Sequence, residues 1–147
     1  MADATDPVVL VLNGVNLGRL GRREPAIYGR TSHADLAQHL VETGANLALA
    51  VEVRQTDDEA ELVQWLHEAA DRSAAVILNP GAWSHYSYAI ADACREVRQV
   101  IEVHISNIQA RDQFRHHSVI SAVAEGTISG LGLGGYDLAL AHIAATV

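Results

Sequence analysis

Five short apolar runs, rich in β-branched residues, alternate along the chain with stretches that have helical periodicity. In two of those stretches leucine and other apolar residues recur every three or four positions, which is the spacing of one face of an amphipathic helix. Apolar runs of four to six residues between such stretches are typical of buried strands. The predicted strands are Val8–Leu12, Val51–Arg54, Ala75–Leu78, Val100–Ile105 and Thr127–Ser129.

Four helices are predicted between and after these strands. They begin at Ser32 or His33, after a cap at Asp57 or Asp58, at Ser84, and at Leu138, the last helix running to Ala145. Strands that alternate with helices make an α/β fold with a parallel sheet. Five strands in 147 residues predict a flavodoxin-like three-layer sandwich, with helices on both faces of a five-stranded parallel sheet. We expect a flexible polar tail at residues 1–7 and a single domain at residues 8–147, because no repeat or linker interrupts the pattern.

The residues that follow each predicted strand indicate where a ligand binds. In open parallel sheets, ligands bind beyond the carboxyl ends of the strands. Here these ends carry amides and one histidine but almost no carboxylate, which favours an oxygen-rich small molecule over a metal ion. They comprise residues 13–16, Gln55, residues 79–81, residues 104–107 and residues 130–132.

Composition excludes several classes of chemistry. All ten basic residues are arginine, so a Schiff-base lysine and the lysine of a phosphate-binding P-loop are both absent. A net charge of −8 argues against a nucleic-acid partner. The single cysteine, Cys94, favours a cytoplasmic protein, and no apolar run is long enough to cross a membrane. The eight histidines form no metal-binding motif, so no metal is expected.

The segment Gly18–Arg30 holds four of the ten arginines, three glycines and a proline. It is too long and too broken for an ordinary connection between a strand and a helix. It is either a solvated surface loop or a mobile lid that brings arginines to an anionic ligand. Tyr28 within it is either a packing anchor or, with its pKa lowered by neighbouring arginines, a general base.

His104 ends the fourth predicted strand, and Glu102 lies two residues before it on the same face. His104 is either a buried histidine that bonds a backbone carbonyl or an acid–base group whose tautomer the carboxylate sets. Arg111 and Arg115 are four residues apart and are expected to share a helical face. Together with the histidine pair at 116–117 they form either a second anion site or a surface patch.

The segment Gly130–Gly135 matches the pattern GxGxxG between a strand and a helix. Only twelve residues follow it, so the rest of a dinucleotide-binding unit has no room. We interpret it as a tight turn with close backbone packing.

Four sequence blocks, in order, resemble the type II 3-dehydroquinate dehydratase family over about Val8 to Ile143. The blocks are LNGVNLGRLGRREPAIYG (residues 12–29), NPGAWSHYSYAIADA (79–93), EVHISNIQARDQFRHHSVISAVAEG (102–126) and GLGLGGY (130–136). The resemblance implies a cofactor-free anti elimination of water from 3-dehydroquinate through an enolate, in the shikimate or quinate pathway and in aromatic amino acid biosynthesis. It also implies a cytoplasmic homo-oligomer, a dodecamer built from trimers.

The resemblance also implies a role for each matching residue. Tyr28, as tyrosinate, would remove the C2 proton, and Arg23 would lower the pKa of Tyr28. Asn16 would hold the water that stabilises the enolate oxygen. His104, oriented by Glu102, would protonate the departing hydroxyl. The implied substrate-binding residues are Asn79, His85, Asp92 from a neighbouring subunit, the amides of Ile105 and Ser106, Arg111 as a support of the lid, and Arg115.

Five positions depart from the family pattern. Val15 replaces a proline, Ala91 an arginine, Gln109 a histidine, Val119 a tyrosine and Gly134 a glutamine. These departures keep two alternatives open. One is a diverged paralogue that dehydrates a related cyclic hydroxy-keto acid, and the other is a ligand-binding homologue without catalytic activity.

Overall fold

The protein, seen in a computed structural model, is built around one parallel sheet. The structure describes residues 5–22 and 24–147, apart from the side chains of residues 27 and 28. The strands are β1 (Val8–Asn13), β2 (Ala50–Gln55), β3 (Ala75–Asn79), β4 (Val100–His104) and β5 (Gly126–Ser129), in the spatial order β2-β1-β3-β4-β5. Every neighbouring pair is parallel. All five predicted strands are confirmed, with ends that differ by one residue at most.

The described helices are α1 (Pro25–Tyr28), α2 (His33–Asn46), α3 (Glu59–Asp71), α4 (Tyr88–Cys94) and α5 (Gly134–Thr146). Ser32 caps α2 in a capping box, because its hydroxyl accepts from the amide of Asp35 while the Asp35 carboxylate accepts from the amide of Ser32. Asp58 caps α3 by accepting from the Ala60 amide. Both starts agree with the sequence prediction.

The two faces of the sheet bury different sets of side chains, as the period of two along a strand requires. Val9 and Val11 of β1 pack in the cluster that includes residues of α2 and α5. Leu10 and Leu12 point to the opposite face and pack with residues of α3 and α4. The result is the three-layer, flavodoxin-like sandwich expected from the sequence.

Two helix starts differ from the prediction. Ser84 lies in a 3₁₀ turn (Gly81–His85), where its carbonyl accepts from the Val119 amide, and Ser87 caps α4 instead. Helix α5 begins four residues before the predicted Leu138. Glycine has low helix propensity, but an added Cβ at Gly135 would lie 3.3 Å from Ile128, so close packing explains the glycine at this position.

Two loop predictions also need correction. Arg111 and Arg115 do not share a helical face: Arg111 follows a 3₁₀ turn in an extended conformation, and Arg115 ends a second such turn. The segment Gly18–Arg30 is less irregular than expected, since it contains helix α1. The tight turn before α5 is confirmed, with Gly130 and Gly132 at φ of 87° and 64°. Residues 1–4 of the predicted tail lie outside the described residues, so the tail and the domain assignment remain predictions.

No helix within the described residues is long and apolar enough to cross a membrane.

Candidate active site

A polar cavity of about 200 Å³ opens at the carboxyl edge of the sheet. The ends of β1, β3 and β4 meet at this edge because the strands are parallel. The cavity is lined by Val15, Asn16, Leu17, Asn79, Gly81, Ala82, His85, His104, Ile105, Ser106, Ile108, Arg111 and Arg115. Eight of the predicted site residues are in this set: Asn16, Asn79, His85, His104, Ile105, Ser106, Arg111 and Arg115.

Asn16 has the left-handed conformation, with φ of 70°. A non-glycine residue in this region is uncommon and needs support from its surroundings, although asparagine tolerates it better than most. The support comes from Asp57, whose Oδ1 accepts from the Asn16 amide at 2.8 Å and from the Gln55 side chain at 3.0 Å. Gln55 also donates to the Gly14 carbonyl. These hydrogen bonds hold the loop that carries Val15 and Asn16.

His104 and Glu102 form the closest polar pair at the site. His104 Nε2 lies 2.5 Å from Glu102 Oε2, and both side chains are buried. In the parts of the chain that the structure describes, Nδ1 of His104 has no hydrogen-bond partner, and His104 lines the cavity. The ring is therefore oriented through Nε2, and Nδ1 is the nitrogen that can exchange a proton with a ligand.

Hydroxyl groups from later in the chain complete the surroundings of Glu102. Oε2 accepts from Ser118 at 2.7 Å, and Oε1 accepts from Ser121 at 2.6 Å and from Thr127 at 3.4 Å. Burial by itself would raise the pKa of Glu102, but the hydrogen bonds from His104, Ser121 and Ser118 outweigh it, and the pKa is lowered. Glu102 is therefore an anion at neutral pH, and its carboxylate accepts a hydrogen bond from Nε2 of His104.

Two arginines bring positive charge to the cavity. Arg111 reaches Ser106 Oγ at 3.4 Å and Glu24 at 3.8 Å, so it links the cavity to the segment 18–30. Arg115 stacks its guanidinium over the Phe114 ring at 4.7 Å. Its Nε is buried without a hydrogen-bond partner among the described residues. Asp112 Oδ2 lies 3.9 Å from this nitrogen, beyond hydrogen-bond distance, so Nε can still donate to a ligand or a water molecule.

His85 is held by its Nδ1 atom, which lies 3.2 Å from the His117 carbonyl oxygen. A carbonyl only accepts, so Nδ1 carries the proton and Nε2 is left as an acceptor. Burial is the largest effect on its pKa and lowers it, which keeps the ring neutral. A neutral Nε2 suits a ligand hydroxyl group.

Asn79 ends β3, and its side chain is almost fully buried. Its Oδ1 accepts from the Gly81 amide at 3.2 Å, and its Nδ2 donates to the Tyr136 hydroxyl at 2.9 Å. One N–H and one lone pair of the amide remain for a ligand.

Three predicted site residues are not part of this geometry. Arg23 and the side chain of Tyr28 lie outside the described residues, so their roles remain predictions. Asp92 is on α4, away from the cavity, with 82% of its side chain exposed and Arg95 at 3.9 Å. It does not contribute to the cavity of its own chain.

Sequence reasoning missed the groups that support the site. Ser118, Ser121 and the hydroxyl of Tyr136 were not predicted, and Asp57 was considered only as a candidate helix cap. Short polar residues are common in loops, so their type carries no signal. Tyr136 offered one signal, because its hydroxyl lies on the otherwise apolar, buried face of α5 and a buried hydroxyl needs a hydrogen-bond partner.

The fold and the cavity together define a flavodoxin-like α/β protein with an acid–base site for a small polar molecule. The model of the family described as dehydroquinase class II matches residues 7–144. The chain is 62% identical to the 3-dehydroquinate dehydratase of Salinispora tropica over 138 residues, which are 93% of this chain and 96% of that protein.

Solved structures agree with this family. The type II dehydroquinase of Propionibacterium acnes matches with a TM-score of 0.93 and 61% identity, over 94% of this chain and 96% of that one. The type II dehydroquinase of Butyrivibrio crossotus matches with a TM-score of 0.91 and 40% identity, over 94% and 97%. The chain belongs to the class II dehydroquinase family, and the resemblance found in its sequence is confirmed.

Proposed function

We propose that this protein is a hydro-lyase that converts 3-dehydroquinate to 3-dehydroshikimate. The observation that carries the proposal is the buried His104–Glu102 pair at one wall of a cavity that also holds two arginines. A histidine held by a buried carboxylate is suited to act as a general acid, and the positive charge of two arginines favours an anionic substrate. Membership of the class II dehydroquinase family supports the same activity.

The elimination needs a base, an electron sink and an acid. Tyr28, as tyrosinate beside Arg23, removes the C2 proton, and the electron pair of the broken C–H bond moves into the enolate. Asn16 holds the water that stabilises the enolate oxygen. When the enolate collapses, its electron pair forms the new carbon–carbon double bond and expels the hydroxyl group β to the ketone. His104 gives that hydroxyl a proton from Nδ1, and water leaves.

The remaining cavity residues would bind the substrate. The backbone amides of Ile105 and Ser106 receive the carboxylate, a role supported by the way the segment is anchored. The carbonyl oxygen of Ile105 accepts from the Gly132 amide, and that of Ser106 accepts from the Ser129 hydroxyl. These two hydrogen bonds hold the backbone of the segment in place. Arg115, His85 and Asn79 bind the hydroxyl groups of the ring, and Arg111 supports the segment 18–30 over the bound substrate.

The departures from the family pattern do not favour a different substrate. Ala91 and Val119 are buried in the core between the sheet, α3 and α4. Gln109 bonds the His116 carbonyl, and an added Cβ at Gly134 would have no atom within 4 Å. Of the five replaced positions only Val15 lines the cavity. We therefore retain 3-dehydroquinate as the substrate.

Assembly and location follow from the same proposal. We expect a cytoplasmic dodecamer built from four trimers, in which Asp92 completes the site of a neighbouring subunit. The exposure of the Asp92 side chain on α4 supports this role, since a second chain can reach its carboxylate. Light scattering after size exclusion should give twelve times the mass of one chain, 15.8 kDa. A monomer that turns over at the full rate would contradict the role of Asp92.

A turnover assay tests the proposed function directly. Purified protein, with no metal added, should convert 3-dehydroquinate to a product with the ultraviolet absorbance of a conjugated ketone. Tyr28→Phe should lower kcat by about 10²- to 10⁴-fold, the usual contribution of a general base. Tyr88→Phe, which removes the hydroxyl of a tyrosine that is 71% exposed, is the matched control and should leave kcat unchanged. Absence of product at high enzyme concentration would refute the proposal.

A further inference from the structure

A buried chain of side-chain hydrogen bonds runs from the cavity to the first residue of α2. Asn79 Nδ2 donates to the Tyr136 hydroxyl at 2.9 Å, and that hydroxyl donates to Asn13 Oδ1 at 2.7 Å. Asn13 Nδ2 then lies 3.0 Å from Nε2 of His33. Asn13 and Tyr136 have no solvent exposure, and only Asn79 of these four residues lines the cavity.

The direction of every bond in the chain follows from one backbone group. The Gly81 amide can only donate, so the atom of Asn79 that faces it is the oxygen, and Nδ2 must face Tyr136. Because the Tyr136 oxygen accepts from Nδ2, its own proton goes to Asn13 Oδ1. The remaining amide nitrogen of Asn13 then faces His33, which must offer a lone pair at Nε2.

The ionisation states of the two titratable members agree with these directions. Burial lowers the pKa of His33, which keeps the imidazole neutral and able to accept. Burial raises the pKa of Tyr136, which keeps the hydroxyl proton that it donates. Flipping the Asn79 amide would set its nitrogen against the Gly81 amide, donor against donor. Flipping the Asn13 amide would leave the buried Tyr136 proton without its acceptor, so one arrangement is favoured.

We propose that Tyr136, Asn13 and His33 are positioning residues that hold the side-chain amide of Asn79 in one orientation toward the cavity. None of the three touches the substrate. The Gly81 amide already holds the oxygen of Asn79, and the chain adds a second constraint by giving Nδ2 a buried acceptor, so that the substrate meets a fixed N–H donor and a fixed oxygen acceptor. The part of this inference that concerns substrate binding rests on the proposed function, whereas the orientation of Asn79 does not.

Nuclear magnetic resonance of the ¹⁵N-labelled protein tests the orientation without any assay of activity. The side-chain NH₂ signal of Asn79 is assigned by its disappearance in Asn79→Asp. In Tyr136→Phe this signal should move toward the position of a free amide, because Nδ2 loses its acceptor. Ile143→Val, a small deletion at another buried site on α5, controls for loss of stability and should leave the signal in place. A signal that does not move in folded Tyr136→Phe would overturn the proposal.

Kinetics with 3-dehydroquinate test the consequence for binding. Loss of one oriented hydrogen bond corresponds to a change of roughly two- to tenfold in binding. Tyr136→Phe should therefore raise KM about two- to tenfold and change kcat by less than about twofold, while Ile143→Val should change neither. An unchanged KM in folded Tyr136→Phe would overturn the link from the chain to the substrate.

His33 provides the rescue experiment at the far end of the chain. His33→Ala removes the acceptor and should raise KM in the same direction as Tyr136→Phe. His33→Gln restores an acceptor oxygen and should recover most of that loss. Equal KM values for the two His33 variants would exclude His33 from the chain. If the parent protein shows no turnover, the proposed function fails on that result alone, and the magnetic resonance experiment still decides the orientation of Asn79.

Discussion

Glu102→Gln is the substitution that isolates the charge behind His104. Glutamine has nearly the same shape and retains hydrogen-bonding capacity at both ends of the side chain. Its oxygen can still accept from His104 Nε2 and from Ser118, on the side where Oε2 lies now. Its nitrogen then faces Ser121 and Thr127, whose hydroxyls can rotate to accept. The fold should therefore tolerate the change, and what is lost is the negative charge.

The size of the effect follows from the hydrogen bond that Glu102 accepts from His104. A bond to a charged group contributes about 1.5–3 kcal/mol, and each 1.4 kcal/mol on the barrier is about tenfold in rate. In the proposed mechanism, His104 would lose this hydrogen bond to a charged group at the step in which it protonates the leaving hydroxyl. We expect kcat to fall about 10- to 150-fold. KM should stay within about threefold, because Glu102 is fully buried behind His104 and does not line the cavity.

The assay is initial-rate turnover of 3-dehydroquinate at pH 7, followed by the absorbance of the conjugated product. Glu42→Gln is the control, since it makes the same chemical change on the exposed face of α2 and should leave kcat unchanged. Urea denaturation of both variants establishes that they are folded at the assay temperature. A folded Glu102→Gln enzyme that keeps kcat within threefold of the parent would refute the role assigned to the carboxylate.

Two further predictions concern stability. Gly14→Ala places a Cβ 2.7 Å from the Pro80 carbonyl oxygen and should lower the free energy of unfolding by about 1–3 kcal/mol. Gly134→Ala, which has open space around the added Cβ, should leave the stability unchanged or raise it. Urea denaturation compares the two variants, and equal midpoints would contradict the packing argument. Hydrogen bonds from Arg54 and Arg72 lower the pKa of Glu68 from 4.5 to about 2, so this bridge stabilises the fold fully above pH 4.5 and its contribution is lost as the pH falls toward 2. Because Glu68 is 39% exposed, the contribution of the bridge is small, about 1 kcal/mol or less. Glu68→Gln should therefore make the urea midpoint depend less on pH between pH 3 and 5. If the midpoint of Glu68→Gln changes with pH as steeply as that of the parent protein, the bridge does not stabilise the fold.

The strands and the edge that carries the site could be predicted from the sequence because their signals are local. A buried parallel strand reads as a short apolar run, and the residue after it lies at the carboxyl edge whatever the order of the strands. Asn16, Asn79 and His104 were predicted on this basis and line one cavity. The contact between Glu102 and His104 was also predictable, because alternate residues of a strand point to the same face.

The groups that support the site could not be predicted, because their positions depend on contacts between distant parts of the chain. Ser118 and Ser121 come 16 and 19 residues after Glu102, in a segment without regular helix or strand. The hydroxyl of Tyr136 meets Asn13 across 123 residues. Local patterns predict which face of a helix is buried but not which polar atom that face meets.

The sequence by itself determined the class of fold, the edge of the sheet that binds a ligand, and the absence of any lysine for imine chemistry. Only the tertiary structure decided how the ring of His104 is oriented, which of its nitrogens is left for a ligand, and which groups hold Asn79. The physical reason is that hydrogen bonds are directional and short-ranged, so buried polar groups take their partners from whatever elements pack against them. In a parallel sheet those elements are far apart in sequence, since each crossover brings a new strand beside one formed much earlier.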